Sequence, residues 1–485
     1  MNIYTKRIVS AIILAMTLFS CSDLEETPYS FLTINEYYNT AEDAESAITA
    51  AYGALTKPGM YGQSIWMLGD YSADQMFPKP VVGRNLLTEF TYDATHDQVE
   101  QFWNESYNGI NNVNLVIQNV PLIDMDEARR EEIVAEAKFL RGLFYFNLVK
   151  TFGEVPLKVL PTASLADIES PKNPSSEIYA QIIQDLKEAG DILNPGIPEV
   201  SGRASQGAAQ GLLAKVYLYN GQYAEARDMA KTVMDDGTYR LVDSPGELWD
   251  VSRENANRVE NIFAVEFSRS PNLQSQNFTS YLAPAGSNGV YAATAWGSSF
   301  AFEQFYHSYA DGDLRKQLMD TSFVDSQGVL HTMDNDPNLK ERVIIAKYAD
   351  PMANGARNET NFPILRYADI LLIYAEASAR ASGQVQGEGL QMVNAVRDRA
   401  GLGPLPSAIT LEEYLAAIMQ ERSWELAFEA DRWFDMTRTG EFLEIGEVTN
   451  YWFPTRPVQP KHRFFPIPEN EVLTNANLDQ NEPWK

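Results

Sequence analysis

The sequence predicts a predominantly all-α protein, built of helical hairpins that carry long, loop-rich insertions. Three observations carry this: apolar residues recur at helical spacing through most of the chain, two helices meet at an Asn-Gly turn, and one stretch after residue 270 loses its charge and periodicity. In "EEIVAEAKFLRGLFYFNLVK", residues 131–150, one stripe runs through Ile133, Ala137, Leu140, Phe144 and Asn147. Phe139, Leu143 and Phe146 make a second stripe, so this helix is expected to be sandwiched between neighbours. In "LRYADILLIYAEASARASG" the same spacing joins Tyr367, Ile370, Leu371 and Tyr374, small alanines occupy another face, and Gly383 supplies the stop.

Further helices are predicted over 42–56, 98–119, 175–193, 203–219, 222–236, 386–400 and 410–437, the last opened by a Thr410/Glu413 capping box. "GLLAKVYLYNGQYAEARDMAKTVM", residues 211–234, pairs two helices across Asn220-Gly221, with Ala226 and Ala230 on the inner side. That unit resembles a tetratricopeptide repeat, and 365–400 offers a second pair of similar size. The spacing between pairs is irregular, so the array is expected to be interrupted by insertions.

The start of the chain has a different logic. Lys6 and Arg7 precede an apolar run, Ile8 to Phe19, shorter than the roughly 18 residues a bilayer-spanning helix needs. A basic start, a short apolar middle and a small residue before the cut describe a cleavable export signal. Leu18, Phe19, Ser20 and Cys21 resemble a bacterial lipobox, which makes Cys21 the expected first mature residue and lipid anchor, carrying palmitate-class chains. Since each buried methylene contributes about 0.8 kcal/mol, several acyl chains would hold the protein on a membrane. Cys21 is also the one cysteine, so no intramolecular disulfide staples the fold.

Removal of the signal leaves 36 basic against 66 acidic side chains, a formal charge of -30. Such a surface repels phosphate backbones, and nucleic acid is excluded as a partner. Catalytic signatures are missing as well. His96, His307, His331 and His462 are scattered without HExxH spacing, and neither GxSxG nor a phosphate-binding glycine loop occurs. Glu421, Glu425 and Glu429 lie four apart, a spacing that suits paired carboxylates. Arg422 and Arg432, three residues from Glu425 and Glu429, are expected to neutralise them. No cofactor and no metal centre is expected. The weak exception is calcium at "DGD", 311–313, or "DNDPN", 334–338, neither of which completes an EF-hand loop.

Six blocks in order resemble the SusD/RagB family of outer-membrane nutrient-binding lipoproteins. They are "FWNESYNGINNVN" (102–114), "RYADILLIYAEA" (366–377), "NAVRDRAGL" (394–402), "IMQERSWELAFEADRWFDMTRTG" (418–440), "FFPIPENE" (464–471) and "NLDQN" (477–481). The resemblance implies a SusD-like fold: residues 1–20 as signal, 21–270 as an N-terminal region with tetratricopeptide-like helices, and 271–485 as a C-terminal region with the ligand-facing loops and signature helices. It implies a cell-surface protein, lipid-anchored in the outer membrane, that captures oligosaccharide and delivers it to a SusC-type TonB-dependent transporter without breaking a bond. Asp23, Glu25 and Glu26 after Cys21 match the acidic flank of surface-exported lipoproteins in this family. A peptide-binding member of the same family and a helical glycoside hydrolase are the alternatives.

The ligand-facing surface is expected between Ser270 and Ala310, where one charged residue, Glu303, stands among nine aromatics and many amides and hydroxyls. Aromatic faces cover the C–H side of a sugar ring while amides meet its alcohols. Phe278, Tyr281, Tyr291 and Trp296 are the loop candidates, and Phe300 is expected to begin a helix. The insertion "DQMFPKPVVGRNLLTEFTYD", 74–93, adds Phe77, Arg84, Asn85 and Tyr92. Trp103, inside the "FWNESY" block, is assigned to structure instead.

Overall fold

Helix-forming stripes and capping residues coincide along most of the chain, and the computed structural model shows the outcome for residues 37–81, 83–164, 167, 169–270 and 276–485. Close contacts group Thr40–Lys485 into one unit, with residues up to Asn39 in another. Among the described residues of the larger unit, eleven helices have eight residues or more. They are α1 (Ala41–Leu55), α2 (Ser64–Tyr71), α3 (Asp97–Asn119), α4 (Glu127–Phe152), α5 (Ser175–Ile192), α6 (Gln206–Tyr219), α7 (Tyr223–Asp236), α8 (Tyr367–Ser382), α9 (Gly387–Arg399), α10 (Leu411–Glu425) and α11 (Arg432–Thr439). No helix among the described residues is long and apolar enough to cross a membrane. The run Ile8 to Phe19 and Cys21 lie outside the described residues.

From α3 to α9 each helix packs on the next in chain order, the antiparallel stacking of a tetratricopeptide-like scaffold. α4 is buried on both predicted faces, between α3 and α5. The approach of α3 to α4 depends on Gly109, where an added Cβ would sit 2.4 Å from the Phe144 ring. In the α6–α7 hairpin the turn uses Gly221 at φ +74°, and Ala226 and Ala230 are buried as expected. Gly383 closes α8 in the left-handed conformation, its N–H bonded to the Ala379 carbonyl. The capping box of Thr410 and Glu413 starts α10.

Between α7 and α8 the stack is interrupted by loops and short strands. β1 (Met76–Pro78) pairs with β3 (Ser299–Ala301), and β2 (Asn261–Val265) with β8 (Phe362–Arg366). β4 (Met319–Asp320) pairs with β7 (Ile344–Ile345), and β5 (Ser322–Val324) with β6 (Leu330–Thr332), all antiparallel. Phe300 therefore lies in a strand opposite Phe77, not at a helix start; the short helix begins at Glu303.

The predicted helix 410–437 is in fact two. α10 ends at Glu425, and Phe428 and Ala430 adopt positive φ, +64° and +63°, before α11 starts. Such backbone is unfavourable for non-glycine residues and persists only where surroundings fix it. Here Gln75 Oε1 accepts from the Phe428 N–H, Asp70 Oδ1 accepts from the Ala430 N–H, and Lys347 donates to the Ala427 carbonyl at 2.6 Å. None of these partners is near in sequence.

The acidic residues of this segment pair at long range. Arg315 meets Glu421 at 2.6 Å and Glu425 at 3.2 Å. Arg366 meets Glu260, Glu425 and Glu429 at 2.9, 2.8 and 2.7 Å, and Arg399 meets Glu425 at 2.5 Å. Arg422 pairs with Asp369 and Asp435, and Arg432 with Asp74, in place of the local partners expected. Burial raises the Glu425 carboxyl, but Arg399, Arg366 and Arg315 outweigh it and hold the group well below the usual carboxylate range. Glu425 is thus a pinned anion in the core.

His462 is fully covered in a nest formed by Phe90, Tyr92 and Trp484, and its Nδ1 accepts from the Gln459 N–H at 2.9 Å. Desolvation, with Lys461 adding to it, brings the imidazole down to about 4. Because the folded pKa lies below the unfolded value near 6.5, this neutral histidine stabilises the fold above pH 6.5, and that contribution is lost as pH falls toward 4. Urea unfolding at pH 7 and 4.5 should show wild type losing about 2 kcal/mol more than a His462→Asn variant. Equal losses would mean that His462 charges freely in the fold.

Candidate functional site

The loop after residue 275 is stitched to its surroundings by backbone. The N–H groups of Trp296, Gly297 and Ser298 donate to the carbonyls of Ser280, Ala283 and Tyr281 at 2.9, 2.7 and 2.8 Å. Gly297 permits this: it has φ +56°, and a Cβ there would lie 2.7 Å from the Ala285 nitrogen. Gln276 ties the start of the loop to Asn358.

This zipper sets Trp296 edge-on against Tyr281, with ring centres 5.2 Å apart and planes at 76°. The Arg84 guanidinium lies 4.5 Å from the centre of the Tyr281 ring and its Nη2 donates to the phenol oxygen. Burial raises the Tyr281 phenol, with Arg84 acting in the opposite sense. Trp296 is 38% exposed, an apolar face on a polar surface. Thr294, whose hydroxyl donates to Asn354 Oδ1, and half-buried Asn85, whose Oδ1 has no hydrogen-bond partner, supply neutral polar groups on the same two segments.

The remaining predicted aromatics are all buried. Tyr291 is buried at ring level and donates its hydroxyl to Asp320 at 2.7 Å. Four expected ligand contacts are corrected to core positions. Phe278 packs on Trp66 and Tyr348; Phe77 packs on Phe302 and Phe453; Phe300 is covered by Phe77 and Arg342; Tyr92 stacks on Phe465. Their rings have no open face for a sugar because neighbouring side chains fill both sides. In the calcium-candidate stretches 311–313 and 334–338, Asp313 is engaged by Arg315 and Asp336 by His331. Among the described residues no three His, Cys, Asp or Glu side chains gather as a metal-ligand group.

One aromatic pair escaped the sequence reading. Tyr451 is 58% exposed, with Lys340 3.7 Å from its ring centre. Its neighbour Trp452 stacks on Arg342 at 3.8 Å, and Arg342 in turn lies against Phe300 at 4.8 Å. The signal was the "YWF" run at 451–453, aromatic residues with no helical or strand period around them.

Two family models match the chain, the SusD family over residues 332–484 and a family described as starch-binding and associating with the outer membrane over 24–218. The chain belongs to the SusD/RagB family. It is 27% identical to SusD-like protein P2 of Formosa agariphila, over 98% of this chain and 99% of that protein. Its fold matches a SusD homologue of Bacteroides thetaiotaomicron with a TM-score of 0.83 and 23% identity, over 93% of this chain and 98% of the other. A laminarin-binding SusD-like protein matches with a TM-score of 0.79 and 26% identity, over 92% and 100%. This is a family of binding proteins, not of enzymes. In this SusD/RagB chain the segment 219–331, holding Tyr281, Tyr291 and Trp296, falls between the two matched stretches.

Proposed function

We propose that this SusD/RagB protein captures oligosaccharide at the outer-membrane surface, tethered by lipid on Cys21, and delivers it to a SusC-type TonB-dependent transporter. The observation that carries the reading is the Trp296 indole, exposed yet braced by Tyr281 and Arg84. One flat apolar ring, with neutral amides and hydroxyls on the segments around it, matches the two-faced chemistry of a sugar. A relative of matching fold that binds laminarin supports the carbohydrate class. Association with the outer membrane is supported by the family description over residues 24–218. Binding is of modest strength, because an open aromatic face buries little area and must displace water from many hydroxyls.

Electrophoresis through gels containing laminarin, starch, xylan or mannan tests capture: retardation in at least one gel is expected, and free migration in all four removes the reading. Delivery has its own test. Purification of the tagged protein from solubilised outer membrane should bring a large barrel protein in near-equal amount, and its absence removes the transporter partner.

A further inference from the structure

A cavity sharing no residue with the Trp296 platform opens between α3, the strap 156–162 and the C-terminal segment 471–478, with a volume of about 490 Å³. We propose that this cleft is a separate sugar site, taking one or two neutral rings. Its size lies within the roughly 300–1,000 Å³ typical of small-molecule sites.

The cleft is built. Tyr107 donates to the Pro156 carbonyl at 2.8 Å, and Asn114 Nδ2 donates to the carbonyls of Lys158 and Leu160 at 3.0 and 3.1 Å. Asn111 Oδ1 accepts from the Thr162 N–H at 2.9 Å, and Tyr145 both donates to the Lys158 carbonyl and accepts from its N–H. Side chains of α3 and α4 thus hold the strap in place alongside the open space.

The chemistry of its walls points to a neutral polyol. Asn104, Asn108 and Asn111 follow at helical spacing on one side of α3, and each line the cleft. A side-chain amide both donates and accepts, the combination a sugar hydroxyl requires. Trp103 also lines the cleft at 2% exposure. The charged lining groups are Lys158 and Glu471, of opposite sign, which gives no preference for a phosphate or another anion. Ile110 and Leu478 add apolar surface for the C–H face of a ring. The choice of sugar over other polyols rests on the capture function proposed above.

Saturation-transfer NMR with millimolar glucose, galactose, mannose and N-acetylglucosamine, recorded on a Trp296→Ala variant, reads the cleft without the platform. At least one sugar is expected to receive saturation. Adding Asn104→Ala and Asn108→Ala, both on exposed positions of α3, should cut that signal at least fivefold with an unchanged melting temperature. No saturation with any of the four sugars, or a signal indifferent to the two asparagines, overturns the proposal. If wild type is retained by a polysaccharide while the variant is silent, the cleft alone fails. If wild type is retained by none while the variant gives an asparagine-dependent signal, the platform reading fails and the cleft stands.

Discussion

Arg366→Ala is expected to lower the unfolding free energy by about 3–5 kcal/mol. Arg366 is 1% exposed and its three nitrogens meet Glu260, Glu425, Glu429 and the Glu425 carbonyl between 2.7 and 2.9 Å. These partners come from the turn before β2, the end of α10 and the irregular segment before α11. The guanidinium therefore ties the inserted loops to the helical stack. Alanine leaves three buried carboxylates sharing Arg399, Arg315 and Lys347, and the uncompensated charge costs far more than the lost contacts. Arg366→Ala combined with Glu429→Gln should recover part of the loss, since one anion goes with the cation. Urea denaturation followed by circular dichroism checks both; a loss under 1 kcal/mol would place the cluster in contact with water.

Trp296→Ala is expected to weaken oligosaccharide binding at least tenfold, about 1.4 kcal/mol, while leaving the fold intact. The indole is exposed, and its backbone is held by hydrogen bonds that alanine keeps. Truncation thus removes surface rather than core. Phe278→Ala offers the contrast: that ring is fully buried against Trp66 and Tyr348, and its loss should cost about 3–5 kcal/mol in stability with no direct effect on a ligand. Calorimetry with whichever polysaccharide retards wild type, alongside thermal melts, separates the two. Undiminished affinity of Trp296→Ala would transfer the capture surface elsewhere, with Tyr451 the next exposed ring to replace.

Helices were legible because their signals are local. The stripes of α4, the Asn220-Gly221 turn, the Gly383 stop and the Thr410 capping box each lie within one or two helical turns, and all appear where the spacing puts them. The break after Glu425 was not legible. Leu426–Asp431 continues the helical pattern, and what interrupts it is a set of clamps from Asp70, Gln75 and Lys347, the first two over 350 positions away.

The loop aromatics failed for a related reason. Composition placed tyrosine, tryptophan and phenylalanine in a low-charge loop but could not say which rings face outward, since one strand pairing turns Phe77 and Phe300 inward together. By itself, then, the sequence determined the helical pairs, the family and the aromatic character of the loop. Only tertiary structure decided which acid meets which base, which ring stays bare, and that "FWNESYNGINNVN" walls a cleft. Helix periodicity is written in neighbours three and four residues apart, whereas exposure and charge pairing are settled by chain segments that meet only when the whole stack closes.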